Sequence, residues 1–168
     1  MFANITNTVN EFPIDLFDVK QHLRIEDDFD DVYLQELIKV ATSYVEQKLN
    51  RKLQRSTAQG YMDSASSVQY LPYGNTTVID ITANGQLLKS PADYVVGQDK
   101  IVFRKQFTDL VIDFDCGYTD ESCPADIKHA LLMIISTMFE SRMDITIGVQ
   151  TYKAHFSSTH LLAPYKLY

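Results

Sequence analysis

The sequence predicts an α+β fold, a small helical bundle with an antiparallel β-hairpin or sheet insertion between its second and third main helices. Three observations carry this expectation. Apolar residues recur at three- and four-residue steps over 14–52, the period falls to two over 53–118, and a proline-led apolar helix follows over 123–142. A closing segment, 143–168, shows no sustained period. At 168 residues, 45% hydrophobic and 22% charged, the chain has the material for one domain with its own core, and 1–168 is read as one domain.

The elements follow in order. After a polar lead-in, Pro13-Ile14-Asp15 opens a short helix with Asp15 as N-cap and Leu16, Val19 and Leu23 on one face, ending near Ile25. The acidic run from Glu26 to Asp31 precedes a longer helix whose stripe is Leu34, Leu37, Ile38, Ala41, Val45 and Leu49. Lys48, Arg51 and Lys52 close it, so acids at the start and bases at the end complement the helix dipole.

The β region begins near Leu53. Thr76 to Thr82 alternates, Asn84-Gly85 suits a tight hairpin turn that needs positive φ, and Gln86 to Lys89 returns. A second hairpin joins Tyr94-Val95-Val96 to Ile101-Val102-Phe103. Leu110, Ile112, Phe114 and Cys116 then alternate with Val111, Asp113 and Asp115, as a strand with one wet face does. Pro124 suits a first helical turn, and Ile127, Ala130, Leu131, Ile134, Ile135, Met138 and Phe139 form a wide stripe up to Arg142. Leu132 and Met133 make that helix apolar almost all round, which predicts either a central place in the core or a neighbouring subunit.

Charge is unevenly placed. Residues 11–36 hold nine acids against Lys20 and Arg24, a sum of −7 that equals the net charge of the whole chain. This sign lacks the basic footprint by which proteins neutralise DNA phosphates, so protein partners are expected. The longest apolar run, Ala130 to Ile135, falls far short of the roughly 20 residues a bilayer crossing needs. No signal-peptide pattern opens the sequence, and a soluble chain made in the cytoplasm is expected. Cys116 and Cys123 are accordingly read as reduced thiols.

The search for chemistry finds no motif. The closest glycines, Gly74 and Gly85, stand 11 residues apart, which excludes a phosphate-cradling loop or a dinucleotide fingerprint. Cys116, Cys123 and His129 lack zinc-site spacing, and the acids at 26–31 lack the alternation and central glycine of a calcium loop. Helix capping explains that cluster better. His155 and His160 lie in the irregular tail with no nearby ligand partner, and no pair among the 22 acids is marked as catalytic. No cofactor, metal or catalytic residue is expected. The tail nevertheless ends on Leu161, Leu162, Pro164, Tyr165, Leu167 and Tyr168, an apolar and aromatic set that something must bury.

Three stretches together resemble one family. They are "LFDVKQHLRIEDDFDDVYLQELIKVATSYVEQKLNRKL" (Leu16–Leu53), "LVIDFDCGYTDESCPADIKHALLMIISTMFESR" (Leu110–Arg142) and the terminal "LLAPYK". Helix, acidic break, helix ending in a basic-leucine pair, strand, glycine-aromatic turn and proline-started helix come in the order of the head-tail connector (adaptor, head completion) proteins of tailed phages and gene transfer agents. The sequence departs from that pattern at Cys116, where a small residue is usual, and at Phe139, where tyrosine or tryptophan often stands. The resemblance implies a structural virion protein and not an enzyme, made in the host cytoplasm and placed in the head-tail neck. It implies a cyclic ring of about a dozen copies between the portal and a tail-side stopper or tail terminator protein. DNA would pass through the ring without sequence-specific binding, and no membrane is involved.

On that reading the six tail residues named above bind the portal or another partner. Asp27, Asp28, Asp30 and Asp31 line the channel or contact a partner, because a neutral or acidic wall does not hold sliding phosphates. Two other classes stay open at this point, a small enzyme with dispersed catalytic acids and a protein-interaction module outside any virion.

Overall fold

The Asp15 side chain accepts a hydrogen bond from the Asp18 amide at 2.7 Å and so caps α1, Leu16–Leu23, at its start. Arg24, at φ 59°, ends that helix with its own amide turned back to the carbonyls of Lys20 and Gln21. α2, Asp31–Leu49, ends in the same way at Asn50, φ 52°. In this computed structural model of the chain, residues 2–9, 11–119, 121–141 and 157–167 are described. They divide into two compact units, one of residues 12–50 and 119–168, the other of 1–11 and 51–118.

The helical unit holds α1, α2, α3 (Ala125–Glu140) and α4 (Ser158–Leu162), which runs into a 3₁₀ turn at Ala163–Tyr165. All six residues of the α2 stripe expected from the sequence are buried. Thr42 joins them because its hydroxyl donates to the Ile38 carbonyl at 2.7 Å, which satisfies the one polar group on that face. α3 buries Ile127, Ala130, Leu131, Ile134 and Ile135. Of the two places expected for this helix, a central one in the core or one against a neighbouring subunit, it takes the first within its unit, because α1, α2 and α4 all pack on it. Coverage from three sides explains an apolar pattern that runs nearly all round. Tyr33 of α2 meets Phe139 of α3 with ring centroids 6.1 Å apart.

The β unit contains two antiparallel sheets. Five strands run in the order β1-β2-β8-β4-β5, with β1 Phe2–Thr8, β2 Ser56–Ala65, β4 Thr77–Ala83, β5 Gln86–Leu87 and β8 Phe107–Cys116. Three more run β3-β7-β6, with β3 Val68–Tyr70, β6 Tyr94–Gly97 and β7 Lys100–Phe103. The expected alternation holds on β8, where Leu110, Ile112, Phe114 and Cys116 are buried with Ala58, Ile81, Ile101 and Phe103 in one core. Asn84 (φ 49°) and Gly85 (φ 74°) make the turn between β4 and β5.

The polar lead-in, like α4 in the closing segment, forms an element the sequence did not suggest. It forms β1, which pairs with β2 from Phe2↔Tyr61 to Thr8↔Ser56. The α+β class and the β insertion between the second and third main helices are as expected, with β1 added to the sheet from outside the insertion.

Candidate interaction surfaces

The acidic break between α1 and α2 is organised by one lysine. Lys20 Nζ donates to Asp28 Oδ1 at 2.7 Å and to Asp31 Oδ1 at 2.8 Å, fastening the last turn of α1 to the start of α2. These two hydrogen bonds hold the Lys20 ammonium above its usual pKa, and the bond from Lys20 holds the Asp28 carboxyl below the usual carboxylate range. Asp27 accepts from the Phe29 amide at 3.1 Å and shapes the turn. Capping therefore accounts for less of the cluster than the sequence suggests. Asp30 takes the N-cap position of α2 without a side-chain capping bond, and Asp31 lies in the first turn, where the helix dipole favours it. Asp27 and Asp28 are exposed, Asp30 and Asp31 half-buried.

The tail is anchored at some points and open at others. Leu162 is buried, and the Leu167 amide donates to the Leu49 carbonyl at 2.9 Å. Lys48 Nζ donates to Thr159 Oγ1 at 3.0 Å, and the Tyr165 hydroxyl donates to Asp126 Oδ2 at 3.0 Å. Pro164 is exposed; Leu161, Tyr165 and Leu167 are half-buried; Tyr168 lies outside the described residues, as do Arg142 and His155. Of the six tail residues, the structure thus seats Leu162 in the unit's own core and leaves Leu161, Pro164 and Tyr165 with surface to offer.

The outer face of the five-stranded sheet carries acids that the sequence shows only as a wet alternation. Asp115 accepts from Thr57 Oγ1 at 2.8 Å directly across the β2–β8 ladder, and Asp113 accepts from Gln59 Nε2 at 2.7 Å. The Tyr61 hydroxyl donates to Gln59 Oε1. The Thr57–Asp115 and Gln59–Asp113 bonds are cross-strand pairs that stabilise the sheet.

Between β8 and α3, Gly117 (φ +92°) passes so close to the Gln54 carbonyl that a Cβ there would overlap it. Tyr118 follows, its amide donating to the Leu53 carbonyl at 3.0 Å while Arg51 Nη1 donates to its hydroxyl at 2.9 Å. Asn75 Nδ2 donates to the Gly117 carbonyl at 2.5 Å. The glycine-aromatic pair is a backbone crossing, with packing and not chemistry as its cause.

Among the described residues no three His, Cys, Asp or Glu side chains come together as metal ligands, and no helix is long and apolar enough to cross a membrane. Cys116 and Cys123 are buried and not joined in a disulfide. His129 meets His22 edge to face, centroids 6.0 Å apart.

Residues 13–84 match the model of the family described as Phage gp6-like head-tail connector protein. No curated protein matches the chain. Among solved structures, a chain in the neck of an empty GTA particle, computed with C6 symmetry, shares the fold at TM-score 0.74 and 17% identity, over 99% of this chain and 95% of that one. A chain in the neck of a native GTA particle, computed with C12 symmetry, gives 0.74 and 16% over the same shares. A chain in the virion of a native gene transfer agent particle gives 0.71 and 15%, again over 99% and 95%.

Proposed function

We propose, on the premise that residues 13–84 belong to the phage gp6-like head-tail connector family, that this chain is a structural virion protein of the head-tail neck. The observation that carries the reading is the likeness in fold, over 99% of the chain, to chains of particle necks computed with C6 and C12 symmetry. The protein acts as one copy in a closed ring, an adaptor between portal and tail that surrounds the DNA channel. Its work is to hold partners in register, and its exposed surfaces matter where an enzyme's cleft would.

Two surfaces serve that role. Leu161, Pro164, Tyr165, Leu167 and Tyr168 dock on the portal, with Leu162 as the anchor that presents them. Proline limits the freedom that docking must freeze, and tyrosine offers contact area with a polar tip. Asp27, Asp28, Asp30 and Asp31 form an acidic surface suited to a channel wall or to a basic partner. A tail-side stopper or terminator protein completes the neck.

Cryo-electron microscopy of particles assembled with this chain tests the proposal. A symmetric ring of this fold at the neck is the expected image. Purified, DNA-filled particles from which the chain is absent, with heads and tails joined, overturn it.

A further inference from the structure

Phe29 is 92% exposed and Val32, one turn on, 77% exposed. The turn that holds them is well tied, by the hydrogen bond from the Phe29 amide to the Asp27 carboxylate and by the Lys20 clamp, so their exposure is a fixed feature of the fold. Keeping a phenylalanine in water forgoes the favourable burial of its ring. Exposed carboxylates flank it: Glu26 and Asp27 precede it, Asp28 is paired with Lys20, and Glu36, on α2, is paired with Lys39.

The β unit carries a second unpartnered apolar surface. Val68, Val102 and Val95 stand directly opposite one another across β3, β7 and β6, in register, and are 37–42% exposed. Tyr70, two residues along the same face from Val68, is 73% exposed. Here the charge is positive. Lys100 lies on that face with its stem across Gly97, and Arg104, just past β7, is exposed. One surface is an apolar knob with the exposed carboxylates of Glu26 and Asp27 beside it, the other an apolar platform flanked by cations. They complement each other in polarity and sign.

We infer that the turn bearing Phe29 and Val32 in one copy docks on the Val68–Val102–Val95 row of the next copy. Because the two surfaces differ, the contact is heterologous, the kind that propagates around a closed ring. The inference rests on the ring reading above and assigns the acidic turn to a subunit contact instead of a channel wall.

The test mixes two variants of the full chain that each add one exposed cysteine to the two buried native ones, Phe29→Cys and Val102→Cys, under mild oxidation at concentrations where native mass spectrometry registers assemblies. The native thiols are buried, so unmodified chain serves as the blank. A disulfide-linked pair that appears in the mixture and in neither variant alone is expected. In parallel, Phe29→Ala should leave the thermal midpoint unchanged and raise the concentration needed for assembly about tenfold or more. Rings that form without the mixed cross-link, or that ignore Phe29→Ala, overturn this interface and leave the connector reading standing. No assembly at any concentration, with or without neck particles added, overturns both.

Discussion

The amide of Leu167 donates to the carbonyl of Leu49 at 2.9 Å, so the end of the chain satisfies an acceptor at the C-terminal end of α2. Helix termini leave four such acceptors without partners in the helix itself, and the Asn50 turn does not reach this one. The tail is therefore part of the helical unit before it meets any partner.

That division of labour predicts two separable phenotypes. Leu162→Ala removes a buried side chain and should cost about 2–4 kcal/mol, read by chemical denaturation. Pro164→Ala with Tyr165→Ala should change stability by less than about 1 kcal/mol while weakening attachment to isolated necks. If the double variant unfolds as readily as Leu162→Ala and still attaches, the exposed half of the tail has no docking role.

The Lys20 clamp predicts a pH dependence. Asp28 is held below its ordinary pKa of 3.8, so the stability it supplies is present above that value and is lost as pH falls through the lower folded value. Lys20 is held above 10.5, so its share is present below that value and is lost as pH rises through the raised one. Asp28→Asn should thus lower the thermal midpoint slightly at neutral pH, less at high salt, and not at all well below pH 3.8. A gap that persists unchanged in acid would show that the carboxylate charge is not its cause.

Gly117→Ala should destabilise the β unit by roughly 2–4 kcal/mol, since the new methyl meets backbone and the positive φ disfavours it. Gly85→Ala, where a Cβ meets nothing within 4 Å, has only the φ penalty to bear and should cost about 1 kcal/mol. Equal losses in urea titrations would refute the close approach at Gln54.

Cys116 and Cys123 should resist a small thiol reagent in the folded chain and react together on unfolding. Fast labelling of either residue under native conditions would contradict its burial.

Much of the fold was legible because local period reports burial. The α2 stripe, the β8 alternation and the Asn84-Gly85 turn each need only a few neighbouring residues to be recognised. β1 was not legible, since its partner lies some fifty residues on, from Ser56 to Tyr61, and its own burial is too slight to leave a pattern. The five residues of α4 are too few to show a helical period. The apolar sweep of α3 was visible, but the sequence does not say that three helices of the same chain cover it. The valine row was hidden for a different reason: Val95 and Val96 are both apolar, which masks the side that faces out.

Strand β1 has a further consequence for how the protein is made. Its residues are made well before Ser56–Tyr61, with which they pair, and β2 gains its other neighbour only with β8, which ends at Cys116. The helical unit, likewise, has α1 and α2 available early and waits for α3 and Leu162 to complete its core. At about 5–20 residues per second, synthesis leaves both halves incomplete for several seconds. Folding then depends on late, long-range closures, the kind of contact that forms slowly.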